Sequence, residues 1–105
     1  MTNAGKKGGK TKEYLHKHLG NYLKTKRQQR GLTQKDVASR LGYSTAQFIS
    51  NFERGLCSPP LNNLKVLVGL YKAPPEEVLE IILKEQENIL RRALKQPIKK
   101  AARRQ

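Results

Sequence analysis

Residues 31–55, "GLTQKDVASRLGYSTAQFISNFERG", hold two short stretches with helical spacing, hinged at Gly42-Tyr43. Each opens on a hydroxyl residue followed three positions later by a polar partner, Thr33 with Asp36 and Ser44 with Gln47. Such pairs form capping boxes, in which the two side chains satisfy each other's backbone amides at a helix start. Val37, Ala38 and Leu41 then face inward from the first stretch, and Phe48, Ile49 and Phe52 from the second. Gly42 ends the first helix after barely two turns, and Gly55 stops the second.

Outward from this pair the chain reads as helix throughout. Leu15, Leu19 and Leu23 recur at i, i+4 and i+8, which predicts a first helix over Lys12–Arg30 closed by Gly31. "LCSPP" (56–60) is a loop, because Pro59 and Pro60 cannot continue a helix. "LNNLKVLVGLY" (61–71) is apolar on nearly every side, the pattern of a central buried helix. Pro75, followed by Glu76 and Glu77, starts a fifth helix that runs to about Gln96. There is no strand signal. The expected fold is all-α, with five helices.

Two short capped helices joined by a sharp turn make a helix-turn-helix. In that geometry the first helix crosses a DNA backbone and the second enters the major groove. The exposed face of the second helix must then carry small hydrogen-bonding side chains. Here it carries Ala46, Gln47, Ser50 and Asn51, with Arg54 further along. Gln and Asn can each pair with adenine through two hydrogen bonds, and an Ala methyl can meet a thymine methyl. Amides at the two helix N-termini point at phosphates, which brings Lys35, Ser44 and Thr45 into the candidate set. For Gln47 a purely capping role stays open beside the contact with DNA.

Charge supports a polyanionic partner. The 105 residues carry 22 basic and 8 acidic side chains, a formal +14 and a pI near 10.3. Residues 1–12 hold four lysines and no acid, and read as a disordered tail. The last nine residues, "PIKKAARRQ" (97–105), form a second basic tail. Residues 74–96 differ, with four basic and five acidic side chains. That segment faces something other than the polyanion.

"LKTKRQQRGLTQKDVASRLGYSTAQFISNFERG…PP…LKVLVGLYKA" resembles the Cro/lambda-repressor (XRE) type helix-turn-helix domain. The likeness rests on the Arg-x-x-x-Gly-Leu-Thr-Gln lead-in to the second helix, the Glu-Arg-Gly ending of the third and the proline loop after it. It covers roughly residues 19 to 80, within a domain expected at 13–80 with the helix-turn-helix at about 33–54. It implies double-stranded DNA binding, usually as a dimer on a palindromic site, by a small repressor-like transcriptional regulator. It also implies a phosphate contact by Gln34, base-facing roles for Ala46, Gln47, Ser50 and Asn51, and an ion pair between Arg27 and Glu53.

The fifth helix is the least family-like segment. At about 1.5 Å per residue it reaches some 33 Å, longer than so small a domain can cover. Part of its apolar stripe must pack on the domain, against the fourth helix. The surplus, with Ile82, Ile89, Leu90 and Leu94 as candidates, invites a partner helix from a second copy or another protein; a frayed extension is the alternative. Two other readings of the whole are a weakly specific nucleoid protein and an antitoxin-type interaction module.

Other chemistries find little support. One cysteine, Cys57, permits no internal disulfide. His16 and His18 lie two apart on a helix and do not share a face, which makes a poor metal site. No Ser/His/acid or paired-carboxylate arrangement occurs, so neither an enzyme nor a cofactor is expected. No apolar run approaches the roughly 18 residues of a membrane span. The expected setting is cytoplasmic, at the nucleoid, with no membrane partner.

Overall fold

The computed structural model describes residues 15–95, and the two basic tails lie outside the described residues. Five helices follow one another, and no strand occurs among the described residues: α1 Lys17–Gln29, α2 Gln34–Leu41, α3 Gln47–Arg54, α4 Leu61–Tyr71 and α5 Pro75–Lys95. Leu19, Leu23, Val37, Ala38, Ile49, Phe52, Leu67, Tyr71, Ala73 and Val78 meet in one core.

The turns explain why the helices are so short. Thr33 Oγ1 accepts from the Asp36 amide at 3.0 Å and the Asp36 carboxylate accepts from the Thr33 amide at 2.9 Å, completing the box at the start of α2. At its other end Gly42 sits at φ +83°, and the Tyr43 amide reaches back to the Ala38 carbonyl at 2.9 Å. That bond closes a Schellman motif, which needs a left-handed residue at its centre. Gly55 ends α3 the same way, with the Leu56 amide on the Asn51 carbonyl at 3.0 Å.

Four expectations about the first four helices are corrected, and a fifth concerns α5. The first helix begins at Lys17, not Lys12, because its N-terminus is fixed by contacts described below; Leu15 precedes it and is exposed. Ser44 does not cap α3, which starts at Gln47 behind Ala46 with no side-chain cap of the Ser-Gln kind. Residues 43–46 are spent on the turn instead, with Thr45 Oγ1 accepting weakly from the Gln47 amide at 3.3 Å. Phe48 is not inward: it is 49% exposed and stacks on Tyr43, ring centres 4.7 Å apart. The fourth helix is not central, since Leu61 is 79% exposed and only Leu67 and Tyr71 are buried on it.

α5 lies against α1 rather than α4, and polar bonds hold it there. The Glu85 carboxylate, on a residue 7% exposed, accepts from the Leu19 amide at 2.7 Å and lies 3.2 Å from His16 Nδ1. Leu19 is the third residue of α1, so a side chain from 66 positions away does the work of an N-cap. Tyr22 Oη donates to Glu77 Oε1 at 2.7 Å one layer along. The His16 amide donates to the Gly55 carbonyl at 3.2 Å, which ties the same end of α1 to the end of α3.

Candidate nucleic-acid interface

α3 buries Ile49, Phe52 and Glu53, three residues centred on one side of an eight-residue helix. At 100° per residue the opposite side is Gln47, Asn51 and Arg54, with Ser50 on one flank and Phe48 on the other. Gln47 Nε2 donates to Asn51 Oδ1 at 3.0 Å, and Arg54 donates to the same oxygen at 2.8 Å. The outward face is therefore a pre-linked row of amide, amide and guanidinium. It presents donors, with the Asn51 carbonyl shared between two neighbours.

Beneath that row lies a buried ion pair. Arg27 Nε donates to Glu53 Oε2 at 2.6 Å and its second arm to Oε1 at 3.0 Å, a bidentate fork. The third donor of Arg27 goes to the Leu32 carbonyl at 2.8 Å, which fixes the α1–α2 turn as well. Bonding to Glu53 pushes the Arg27 pKa up against the opposing effect of burial. Tyr71 is raised too, first by burial and then by the Glu53 charge. Gln34 Nε2 also donates to Glu53 Oε1, at 2.9 Å. The amide that the resemblance makes a phosphate contact is thus held by the buried carboxylate.

The other candidates are placed as follows. Lys35 and Thr45 are exposed, at the first turn of α2 and in the turn before α3, and Ser44 is exposed beside Thr45. Ala46, at the N-cap, is half-buried. Tyr43 Oη accepts from Asn63 Nδ2 at 2.6 Å, so α4 braces the turn that sets the angle of α3. Ile82 packs partly against the core, Ile89 is half-buried, and Leu90 and Leu94 are exposed. The four do not form one free face.

Two features escaped sequence reasoning. Gly20 carries α1 across α3 so closely that an added Cβ would lie 2.5 Å from the Glu53 carbonyl oxygen and 2.6 Å from that of Phe52. A glycine between the apolar and polar sides of the helix was the available signal. Beside this crossing Lys17, Asn21, Lys24, Gln34, Ser50, Glu53 and Arg54 line a groove of ≈ 510 Å³. Among the described residues no group of three or more metal-binding side chains occurs, and no helix is long and apolar enough to cross a membrane.

The helix-turn-helix domain family matches residues 18–81, more than half of the chain, and the chain belongs to that family. Such a domain indicates DNA as the partner, by the docking of its second helix in a groove. No curated protein and no solved structure matches the chain.

Proposed function

We propose that this protein is a Cro/lambda-repressor (XRE) type transcriptional regulator that binds an operator in double-stranded DNA as a homodimer. The observation that carries the reading is the outward face of α3, where Gln47, Asn51 and Arg54 form one exposed hydrogen-bonded row on a helix locked from below by Arg27 and Glu53. Placed in a major groove, such a row meets base edges that accept and donate in distinct patterns. To read adenine with both groups, Asn51 must release at least one of its two partners. Self-association is supported by α5, where Leu79, Leu83, Leu90 and Leu94 are all exposed. They lie on the segment that carries five acids against four bases, so two copies meet there without the repulsion of the rest of the chain.

Selection of bound duplexes from a random pool tests the reading directly. A defined motif is expected, and Asn51→Ala should lower affinity for it by about 1–3 kcal/mol while leaving random duplex nearly unaffected. Equal losses on both duplexes would rule out base readout by this face.

A further inference from the structure

α1 has a polar side whose spacing is regular. Lys17, Asn21 and Lys24 fall at i, i+4 and i+7, on one face of the helix, while Leu19, Leu23 and Arg27 turn into the core. Gly20 lies between the two sides and is the point where α1 crosses the end of α3. Gly55 completes the crossing, since a Cβ there would meet the Lys17 Cα at 2.6 Å. Two glycines thus remove the spacing that side chains would impose, and the cationic row of α1 is set directly on the shoulder of α3.

The groove that results is closed on its far wall by Ser50 and Arg54 and at one end by Gln34. Its floor is the Glu53 carboxylate, which is buried and already paired with Arg27. With that acid neutralised, Lys17, Lys24 and Arg54 give the groove a cationic balance. The two lysines are seven residues apart, about 10 Å along the axis, so the row reaches past a single anion. Ser50 belongs to the flank of α3 and Arg54 to its outward row, so any duplex seated on α3 runs its backbone past this opening.

We propose that the α1–α3 groove is a binding site for the phosphodiester backbone of duplex DNA, with Lys17 and Lys24 of α1 as its phosphate ligands. This rests on the reading of α3 as the helix that enters the groove of DNA. α1 is then a third DNA-contacting helix, and the glycine crossing is the device that brings it there. Contacts of this kind position the protein and carry no base information, so their loss is felt equally by every sequence.

The experiment uses the full-length protein, a random-sequence duplex of about 20 bp and fluorescence anisotropy across a salt series. Each phosphate neutralised contributes about 0.9 to the slope of log affinity against log salt. Lys17→Gln/Lys24→Gln should reduce the slope by about 1.8 and lower affinity about 60-fold at 0.1 M salt. Lys84→Gln/Lys95→Gln, which removes the same charge from α5, should leave the slope in place. If the first double variant is poorly folded, Lys24→Gln alone should still remove about 0.9. An unchanged slope in a folded variant, or an equal drop in the α5 control, overturns the groove while leaving DNA binding by α3 intact. A wild-type chain that binds no duplex overturns both.

Discussion

Arg27→Met should unfold this domain more readily than any comparable surface change. The arginine makes three bonds, two to the Glu53 carboxylate and one to the Leu32 carbonyl, from a side chain almost wholly out of water. Removing it takes the bidentate partner from Glu53, 5% exposed, and leaves the Gln34 amide bonded to a largely desolvated carboxylate. Breaking a buried pair from one side costs about 3–5 kcal/mol, because the other charge stays desolvated. A small domain has only about 5–15 kcal/mol in total. At about 4–8 °C per kcal/mol for a chain of this size, even the lower figure is a fall of about 12 °C in Tm. Arg30→Met, at the exposed end of α1, is the control and should move Tm by little, within about 0.5 kcal/mol. Arg27→Met/Glu53→Leu should recover much of the loss, since a pair replaced as a whole leaves no stranded charge. Thermal melts by circular dichroism read all three. Equal small shifts for Arg27→Met and Arg30→Met, or a double variant no better than the single, would refute the reasoning.

Three further perturbations follow from the same contacts. Glu85→Ala removes the acceptor of the Leu19 amide, and should cost about 1–3 kcal/mol by urea denaturation and speed hydrogen exchange at Leu19; unchanged exchange there would show that the carboxylate does not cap α1. Partial burial, then the bond to Glu77 and its charge, push the Tyr22 pKa up to about 12 from an ordinary 10.0. A raised folded pKa means that this contribution is complete below pH 10 and lost as pH climbs from there to 12, so wild-type stability should fall across that window more steeply than that of Tyr22→Phe. Leu90→Glu should convert dimers to monomers in sedimentation and weaken operator binding, and a wild type that stays monomeric at high micromolar concentration would end the proposal of pairing through α5.

The legible parts of this fold were those encoded within a few residues. Thr33 and Asp36 are three apart, and their box forms because each answers a bond the helix start lacks. Gly42 and Gly55 stop their helices because only a left-handed residue closes the turn. The Ser44-Gln47 pair has the same spacing and fails, since local pattern competes with tertiary contact. Tyr43 is drawn back by the Ala38 carbonyl, stacked under Phe48 and bonded by Asn63, so the chain cannot turn into a helix until Gln47. Phe48 is outward for the same reason: once α3 starts at Gln47, Ile49, Phe52 and Glu53 take the inner side and leave it on the flank.

What reaches across the chain was not legible. Nothing near Glu85 in the sequence marks it as the cap of a helix that begins 68 residues earlier, and it sits among other acids on an amphipathic segment. Its burial follows from geometry. α1 ends its N-terminal side against Gly55, the amides of its first turn face α5, and a carboxylate is the group that a helix N-terminus best accepts. That one contact changes how the chain divides. α5 begins inside the matched domain and runs beyond residue 81, yet its middle holds the start of α1 in place. Through His16 and Gly55 the start of α1 holds the end of α3, so three named contacts join the middle of α5 to the helix proposed to enter the DNA groove.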